Sequence, residues 1–409
     1  MKLSQSFIKT LREAPKDETA KNGALLTRAG YIHKELAGIY DYLPLGIKVI
    51  ENIKTIVREE LNAIGCQEIS MSALQNPELW QKTDRWDDNK VDIWFKTNLA
   101  AGGQLGLAPT HEEPITNMLK NYVSSYKDLP IAVYQFQTKF RNELRAKSGI
   151  MRGREFLMKD LYSFHTSEAD LDDFYSKVET AYAKIYDRLG LGDDTYKTFA
   201  SGGVFSKYSH EYQTFIPVGE DVVYYNEDRS TVLNEEVYND EVMNDLGVKG
   251  EKFESTAAAE VGNIFKLKTK YSAPLDLKFT DEKNEQQVVY MGCYGIGISR
   301  VMGVIAEKYA DDKGLIWPEA VAPFRYHLIG IGDKGTTIAE NLHAKHPDLF
   351  IYDDRDIHPG EKFADADLMG MPYRVVISDK TLEDNNIEIT ERQTGKISLL
   401  TLEDFTAKL

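Results

Sequence analysis

Residues 131–165 carry a clear alternation of polar and apolar positions, in two arms that a basic loop separates. In the first arm, polar residues alternate with three aromatic residues, Tyr134, Phe136 and Phe140. In the second arm, every other residue falls on one face, which carries Phe156, Met158, Asp160 and Tyr162. A period of two in both arms predicts a long antiparallel hairpin with one apolar face and one face of mixed chemistry.

Helical spacing of apolar residues predicts two long helices elsewhere in the chain. From Leu45 to Ile64, apolar side chains recur every three or four positions, and Gly65 is a suitable C-terminal cap. A second helix is predicted to begin after Ser167, a favoured N-cap residue, and to end at Gly190.

Three other segments have shorter patterns. Residues 28–46 are predicted to form a helix that runs into a turn, and residues 67–74 are predicted to form a short strand. Residues 287–310 combine an apolar run, the glycines Gly292, Gly295 and Gly297, and a helical pattern, which predicts a strand, a turn and a helix. The glycines lack the spacing of a dinucleotide-binding fingerprint, so this segment does not predict such a site.

The pattern changes after Pro318 and Pro323, which mark a domain boundary. From there, apolar runs of strand length alternate with helical segments. Such an alternation predicts a mainly parallel sheet with crossover helices.

Length, charge and cysteine content limit the class of protein. The 409 residues suffice for two or three domains, and the net charge of −16 argues against a general nucleic-acid-binding protein. Two distant cysteines, Cys66 and Cys293, fit a reducing compartment. No apolar run is long enough to span a bilayer, and residues 1–17 lack a signal-peptide core. The cytoplasm is therefore the expected location.

The mixed face of the hairpin contains candidate binding groups. Arg141 and Glu143 follow the first arm, and Arg152 precedes the second. Arginine donates paired, charge-assisted hydrogen bonds to phosphate oxygens, and a carboxylate among arginines accepts from an amine or an ammonium. The alternative is an ordinary amphipathic hairpin with a solvated basic loop. Thr110 and Glu113 have a similarly simple interpretation, as the N-cap and the third residue of a helix capping box.

The order of these residues resembles a known family. Phe140-Arg141-x-Glu143, a loop and then Arg152-x-x-x-Phe156-x-x-x-Asp160 resemble motif 2 of the class II aminoacyl-tRNA synthetases. The run GCYGIGISR resembles motif 3 of that class, and the helix and strand over residues 45–74 correspond to motif 1. The runs QTKFRNE and REFLMKDLYSFH are similar to the bacterial type of prolyl-tRNA synthetase in particular.

The resemblance implies an α/β fold in two parts. The first is an α+β catalytic domain with an antiparallel sheet of six or seven strands, over residues 1–220 and 258–322. The second is a smaller α/β anticodon-binding domain over residues 323–409. Residues 221–257 are expected to form a short bridge, where many bacterial members carry a large domain that hydrolyses mischarged alanyl-tRNA. We therefore predict that the chain does not edit alanine in cis.

The resemblance also implies an activity. ATP and L-proline would form prolyl-adenylate, and the prolyl group would then pass to tRNA(Pro). The implied cofactors are ATP and Mg²⁺, and motif 1 implies a homodimer. Two alternatives are a non-catalytic paralogue that binds tRNA or a protein, and a class IIa synthetase of another specificity, such as threonine. The paralogue should have lost a motif arginine or Glu143, whereas a threonine enzyme should carry a zinc site near its amino-acid pocket.

The resemblance assigns residues to each ligand. The catalytic arginines are Arg141 and Arg300. The expected ATP-binding residues are Arg141, Glu143, Arg152, Phe156, Glu211, Glu260 and Arg300. The expected proline-binding residues are Thr110, Glu112, Arg141, Met158, Asp160 and Tyr162. Mg²⁺ is expected at Glu211 and Glu260. The expected tRNA anticodon contacts are Arg355, Lys362 and Arg374.

The chain departs from the family at three positions. Ser72 stands where the family usually has proline, in the strand of motif 1. Asn263 replaces a frequent histidine and Lys268 replaces a frequent glycine, both in a segment expected to lie near the substrate pocket.

Overall fold

The computed structural model describes residues 1–201 and 208–409. The helices of these residues are α1 Lys21–Arg28, α2 Pro44–Ala63, α3 Pro77–Gln81, α4 Glu112–Leu119, α5 Glu168–Arg188, α6 Asp240–Asp245, α7 Ile298–Tyr309, α8 Gly332–Lys345, α9 Pro359–Met369, α10 Asp379–Leu382 and α11 Leu402–Thr406. The strands are β1 Ile32–Leu36, β2 Ile39–Tyr42, β3 Gln67–Glu68, β4 Leu74–Gln75, β5 Phe95–Asn98, β6 Gln104–Leu107, β7 Ile131–Phe140, β8 Glu155–His165, β9 Thr195–Ser201, β10 Tyr208–Phe215, β11 Asp221–Asn226, β12 Val232–Asn234, β13 Phe253–Lys268, β14 Lys278–Thr280, β15 Gln286–Val288, β16 Tyr290–Gly297, β17 Tyr326–Ile331, β18 Phe350–Asp353, β19 Tyr373–Ser378, β20 Asn386–Glu391 and β21 Ile397–Thr401.

These elements fall into two compact units. The first unit comprises Met1–Leu36, Tyr40–Ile53 and Ile305–Leu409, and the second comprises Ala37–Ile39 and Lys54–Val304. The predicted division instead placed the first 220 residues together. The boundary predicted at residue 323 stays a prediction.

Hydrogen bonds explain why the beginning of the chain groups with its C-terminal part. The Tyr31 hydroxyl donates to the Met369 carbonyl at 2.7 Å and accepts from Trp317 Nε1 at 2.8 Å. The Asn22 side chain donates to Glu307 at 3.0 Å. All of these residues are buried, and buried polar groups are costly without partners.

The second unit is built around a nine-stranded sheet with the order β10-β9-β12-β11-β13-β16-β8-β7-β3. The predicted hairpin is confirmed as β7 and β8, which pair antiparallel from Ile131↔Phe164 to Phe140↔Glu155. The sheet has more strands than the six or seven expected. The difference includes β11 and β12, which the segment expected to be a short bridge adds to the sheet.

The segment expected to be a bridge has its own small core. Leu233, Val237 and Val242 are buried together, with Phe199 and Phe253 packed against them. Apolar burial of this kind ties the segment to β9 and β13, its neighbours in the sheet.

The strand predicted over residues 67–74 is wrong as a continuous element. Only β3 and β4 are strands, and they belong to two different sheets. Between them the backbone of Met71 bonds to side chains: its N–H donates to Gln135 Oε1 at 3.0 Å, and its carbonyl accepts from Gln137 Nε2. Glutamine amides thus replace a strand partner here, next to Ser72.

The helix predicted over residues 28–46 is also wrong. Helix α1 ends at Arg28, and β1 and β2 form a two-stranded sheet instead. The turn between the strands contains Gly38 at φ +77°, a left-handed conformation that glycine adopts most readily. The glycine turn therefore decided the local structure, although the spacing of the apolar residues is helical.

The predicted long helices are confirmed as α2 and α5. The Ser167 hydroxyl accepts from the Asp170 N–H and caps α5 as expected. The predicted strand and helix are confirmed as β16 and α7, but the predicted glycine turn is wrong, because Gly292, Gly295 and Gly297 lie within β16 and α7 begins at the next residue. No helix in residues 1–201 and 208–409 is both long and apolar enough to cross a bilayer.

The first unit contains a five-stranded sheet with the order β18-β17-β19-β20-β21. Strand β17 pairs parallel with β18 and β19, as the alternation predicts, whereas β19–β20 and β20–β21 pair antiparallel. The expectation of a mainly parallel sheet is therefore wrong for the last two strands. Antiparallel neighbours need only a short connection, so no crossover helix joins β20 to β21.

Lys268, one of the departures from the family, lies at a bulge at the end of β13. Its φ is +50°, and its ammonium pairs with Glu168 at 2.6 Å. A left-handed conformation costs about 1–2 kcal/mol for a residue with a Cβ atom, which is the physical reason that glycine suits this position.

We expect Lys268→Gly to be more stable than Lys268→Ala by about 1 kcal/mol, because both variants lose the Glu168 pair but only glycine relieves the left-handed strain. The free energy of unfolding in urea measures the difference. Lys266, two residues earlier in β13, is the matched position, where alanine should be the more stable of the two replacements. An alanine variant at position 268 as stable as the glycine variant would contradict the strain.

Candidate functional site

The register of neighbouring strands aligns one row of residues across the sheet of the second unit. Asp160 lies opposite Gln135 on one side and Gly295 on the other, and the row continues through Asn263 to Glu211. Because side chains alternate along each strand, the other site residues of β8 lie on the same face as Asp160. Those residues are Phe156, Met158 and Tyr162.

Arg141 is the central cation of this face. Its guanidinium lies 5.2 Å from the centre of the Phe156 ring, a cation–π arrangement. Its Nε is buried without a hydrogen-bond partner, and Arg141 makes no ion pair within residues 1–201 and 208–409. Burial lowers the pKa of Arg141, yet a guanidinium stays protonated in proteins. A partly buried cation without an anion is suited to an anionic ligand.

The pocket at Arg141 brings together several of the residues singled out in the sequence. It is lined by Arg141, Phe156, Met158, Glu260, Val261, Gly262, Asn263, Gly295, Gly297 and Arg300. A Cβ on Gly295 would lie 2.8 Å from Asn263 Oδ1, so a larger residue there would require the Asn263 side chain to move. Asn263 therefore does line the pocket, whereas Lys268 is not among the lining residues.

Arg300 at the start of α7 is held against β13. It donates from Nη1 to the Glu260 carboxylate at 3.0 Å and to the Glu260 carbonyl at 2.6 Å. Its Nε donates to the Met151 carbonyl at 2.7 Å. Asn263 donates to the other Glu260 carboxylate oxygen at 2.9 Å. Arg300 and Glu260 are thus fixed relative to each other before a ligand enters.

A second pocket shares Glu260 and Arg300 and extends towards the hairpin loop. It is lined by Met151, Arg152, Glu220, Asp221, Ala259, Glu260 and Arg300. Arg152 donates to Glu143 at 3.0 Å and to Glu220 at 3.2 Å, and the Ser148 hydroxyl also donates to Glu220 at 2.6 Å. Glu220 was not predicted from the sequence, since an isolated acidic residue in a loop carries no pattern.

Acidic side chains gather at the far end of the row. Gln213 Nε2 donates to Glu211 at 2.9 Å and to Asp221 at 2.7 Å, and Asn234 donates to Glu211 at 3.1 Å. Burial, together with the charge of Glu260, raises the pKa of Glu211 to about 8. Burial also raises the pKa of Asp221. Sequence reasoning missed Asp221 because it falls at the edge of the expected bridge.

The donor set of Glu211 and Glu260 fits a magnesium ion. Carboxylate oxygens are the protein ligands that Mg²⁺ prefers, and one or two of them suffice when phosphates and water complete its shell. The raised pKa of Glu211 means that its negative charge lacks compensation, which a divalent cation would provide. Within the described residues, the three-ligand cluster found is a different one, the exposed His33, Glu35 and Asp41.

The loop before α4 contradicts the capping interpretation of Thr110. The N-cap of α4 is His111, and it makes no side-chain cap bond. The Thr110 hydroxyl lies 2.7 and 2.8 Å from the two Glu112 carboxylate oxygens and donates its hydrogen bond to that carboxylate. The Glu113 carboxylate accepts from the Thr83 hydroxyl at 2.7 Å instead of capping the loop.

Arg85 holds the acidic pair that begins α4. Its Nη1 lies 3.3 Å from Glu112 and 3.1 Å from Glu113, and its guanidinium packs against the rings of Trp80 and Tyr271. Burial raises the pKa of Glu113 to about 7. Burial alone would raise the pKa of Glu112 too, but the Arg85 charge and the Thr110 hydroxyl bring it below its usual value. Glu112 is therefore the more acidic member of the pair.

Asp160 and Tyr162 adjoin this loop. Asp160 Oδ2 accepts from Gln135, Lys139 and Tyr162 at 2.9–3.0 Å. Asp160 Oδ1 is buried and has no partner in the described residues. The backbone N–H of His111 donates to the Tyr162 hydroxyl at 3.0 Å, which connects Asp160 to the loop that carries Thr110 and Glu112. The four predicted residues of this region thus belong to one hydrogen-bonded group.

Cys293 on β16 is a contact that sequence reasoning missed. Its thiol lies 3.3 Å from Glu112 Oε1 and donates to it. Burial and the charge of Glu112 hold the pKa of this thiol well above its usual value, so the sulfur keeps its proton. Cys293 and Glu112 are far apart in sequence, and no local pattern connects them.

The basic residues expected at the anticodon bond to acceptors within the first unit. Arg355 pairs with Asp353 at 2.7 Å and Asp365 at 2.8 Å. Lys362 is buried and donates to the Asp353 carbonyl at 3.2 Å. Arg374 pairs with Asp367 at 2.8 Å. Their role in tRNA binding stays a prediction.

Comparison with known proteins identifies the family. The family described as "tRNA synthetase class II core domain (G, H, P, S and T)" matches residues 95–309, and the "Anticodon binding domain" family matches residues 323–409. The proline–tRNA ligase of Ehrlichia chaffeensis is 39% identical over 100% of both chains. That of Wolbachia pipientis is 36% identical, again over 100% of both chains.

The chain belongs to the proline–tRNA ligases. Its predicted class, ligase activity and fold class are thereby confirmed. The fold is also that of two solved prolyl-tRNA synthetases. The Cryptosporidium parvum structure with halofuginone and AMPPNP has a TM-score of 0.77 and 17% identity, over 94% of this chain and 75% of that chain. The Giardia lamblia structure with prolyl-adenylate has a TM-score of 0.74 and 20% identity, over 93% and 74%.

The zinc site expected of a threonine enzyme would need three His, Cys, Asp or Glu ligands near the amino-acid pocket. In the part of the chain that the structure describes, no such group includes Glu112, Asp160 or Cys293.

The raised pKa of Glu211 predicts how stability depends on pH. Its pKa rises from 4.5 to about 8 on folding, so the stability that the protonated carboxyl contributes is present below pH 4.5 and is lost as the pH rises through about 8. We therefore expect the stability of Glu211→Gln, relative to the unmodified protein, to increase between about pH 5 and about pH 9.

Urea unfolding midpoints across that pH range measure the effect. Glu282→Gln, at an exposed position, is the control and should leave the pH profile unchanged. Millimolar Mg²⁺ should flatten the profile of the unmodified protein but not that of Glu211→Gln. Parallel profiles for Glu211→Gln and the unmodified protein would contradict the raised pKa.

Proposed function

We propose that the pocket at Arg141 holds ATP and L-proline together while the proline carboxylate attacks the α-phosphorus and pyrophosphate leaves. A hydroxyl of the terminal ribose of tRNA(Pro) then takes the prolyl group from the resulting adenylate, and AMP leaves. The observation that carries this proposal is the guanidinium of Arg141, unpaired among the described residues, in a pocket that Glu260 and Arg300 also line. Two anionic reactants need a cation between them, and a pre-positioned one costs no reorganisation during the reaction.

Arg141 is the residue that bridges the reactants in this proposal. Its fork is able to donate both to an α-phosphate oxygen and to the proline carboxylate. The Phe156 ring, on which it packs, offers a flat surface for the adenine base. Glu143 accepts from the adenine amine, which requires part of its present bond with Arg152 to be exchanged.

Arg152 and Arg300 bind the γ-phosphate of a bent triphosphate in this proposal. Both line the second pocket, which supports the assignment. Mg²⁺, held by Glu211 and Glu260, would neutralise phosphate charge while it is bound. Asp221 and Glu220 add negative charge near that position and are proposed as further contributors.

The nitrogen of proline binds at the loop before α4. A secondary ammonium donates two hydrogen bonds, and Glu112 and Thr110 together provide the carboxylate and hydroxyl acceptors. Met158 and Tyr162 supply apolar surface on the neighbouring strand, while Asp160 Oδ1 is an acceptor without a partner in the described residues. Because proline has no polar side-chain group, its selection rests on charge pairing plus a pocket of matched size.

The proposal includes the absence of alanine editing between β10 and β13. Residues 216–252 are all that lies between these strands, and they are occupied by β11, β12 and α6 with their own core. A homodimer through motif 1, a location in the cytoplasm and anticodon contacts of Arg355, Lys362 and Arg374 complete the proposal. The two cysteines are free and buried, which suits a reducing compartment.

Loss of Arg141 tests the proposal directly. We expect Arg141→Ala to lower proline-dependent ATP–pyrophosphate exchange by about 100-fold or more, equivalent to about 3 kcal/mol of transition-state stabilisation. Arg188→Ala is the control, since Arg188 lies on α5 and pairs with Glu59 and Glu60. Exchange by Arg141→Ala at the rate of the unmodified protein would reject the assigned role. Absence of exchange in the unmodified protein with every amino acid would favour the paralogue.

A separate experiment tests the absence of editing. We expect detectable exchange with alanine, because a pocket shaped for proline excludes a smaller residue poorly. We also expect alanyl-tRNA(Pro) to decay in the presence of the protein no faster than in buffer. Prolyl-tRNA(Pro) serves as the control for unspecific hydrolysis. Selective decay of alanyl-tRNA(Pro) would mean that another part of the chain edits.

A further inference from the structure

A closed ring of hydrogen bonds joins the loop before α4 to the hairpin. Lys139 Nζ lies 2.9 Å from Asp160 Oδ2 and 2.6 Å from His111 Nδ1. The backbone N–H of His111 donates to the Tyr162 hydroxyl at 3.0 Å, and that hydroxyl donates to the same Asp160 oxygen at 3.0 Å. We call these four residues the Lys139 ring.

Every polar group in the Lys139 ring has one role that fits its partners. An ammonium only donates, so His111 Nδ1 must accept from Lys139. The imidazole proton is therefore on Nε2, which donates to the Ser72 carbonyl at 3.0 Å. Burial and the Lys139 charge lower the pKa of His111 to about 4, in agreement with a neutral imidazole.

Burial makes the Lys139 ring difficult to open. His111 and Lys139 are 0% exposed and Asp160 is 2% exposed. Breaking a buried pair by removing one partner leaves an uncompensated charge, which is strongly unfavourable. The backbone at His111 is therefore held on two sides, by its imidazole and by its N–H.

We infer that Lys139 and His111 are positioning residues for the amino-acid substrate. His111 lies between Thr110 and Glu112, so the contacts that fix His111 also fix the two groups assigned to the proline nitrogen. This inference rests on the proposed function, because it presumes that Thr110 and Glu112 bind proline. Apart from each other, Lys139 and His111 bond to Ser72 and to Asp160 and Tyr162, both of which are assigned to proline, so the effect should fall on proline rather than on ATP.

The first test replaces Lys139 by methionine, which keeps most of the length of the side chain and removes its charge. In ATP–pyrophosphate exchange, we expect the KM for proline to rise at least about tenfold while the KM for ATP changes by less than about twofold. The double variant Lys139→Met/Asp160→Asn removes both charges, so it should fold even if the single variant does not. Because Asp160 is itself assigned to proline, the double variant is compared with Asp160→Asn, and its KM for proline should be the higher of the two, since only the double variant leaves His111 Nδ1 without its donor.

Lys159→Met is the matched control. Lys159 is equally buried on the same hairpin, but it lies on the opposite face of β8 from Asp160. Its ammonium donates to the Tyr182 hydroxyl and to the Tyr294 carbonyl. Its replacement should lower the thermal unfolding midpoint without a selective change in the KM for proline. A purely structural role of Lys139 would make the two variants behave alike.

Two conservative replacements of His111 separate its contacts. An asparagine oxygen occupies the place of Nδ1 and still accepts from Lys139, whereas a glutamine amide occupies the place of Nε2 and still donates to Ser72. We expect the KM for proline of His111→Asn to lie closer to the unmodified value than that of His111→Gln. The reverse order would overturn the inference, since the Lys139 bond would then be dispensable.

The outcomes distinguish this inference from the proposed function. If the unmodified protein shows no proline-dependent exchange, the proposed function fails. If it shows exchange and the Lys139 variants keep the unmodified KM for proline, the proposed function stands and the inference fails. Equal rises in the KM for proline and for ATP would also overturn the inference, because the Lys139 ring would then act on the whole site.

Discussion

The antiparallel register of β7, β8, β16 and β13 is the constraint on which the rest of the site depends. It places Gln135, Asp160, Gly295 and Asn263 in one row, with Glu211 at its end. A shift of one residue in any of these strands would turn its site residues to the opposite face. The two pockets and the loop before α4 therefore keep their relative positions because backbone hydrogen bonds hold the row.

Charge is distributed around this row in a consistent way. Several of the charged groups have partners: Arg85 pairs with Glu112 and Glu113, and Lys139 pairs with Asp160. Arg141 has no ion-pair partner in the described part of the chain, and its Nε makes no hydrogen bond. Pairing stabilises the surrounding groups, and we propose that the guanidinium of Arg141 meets an anionic substrate. The acidic side chains near Glu211, in contrast, are suited to binding a cation.

Sequence patterns succeeded where the signal was local and repeated. The alternation over residues 131–165 and the helical spacing after Leu45 correspond to β7, β8 and α2. Patterns failed where another contact competed with them. Residues 28–46 have helical spacing, but the turn at Gly38 allows a hairpin to form there. The side chains of Gln135 and Gln137 bond to the backbone of Met71, which therefore does not pair with a strand. The expected cap at Thr110 failed because its hydroxyl bonds to Glu112 instead.

The sequence by itself determined the family, the order of the motifs and the residue types available to bind ATP and proline, because these depend on residue identity and spacing along the chain. Only the tertiary structure decided which of these groups are already paired. Lys139 reaches Asp160 from the other arm of the hairpin, and Cys293 reaches Glu112 from a different strand. Burial, pKa shifts and the unpaired Nε of Arg141 arise where strands meet across the sheet, and spacing along one chain does not encode those distances.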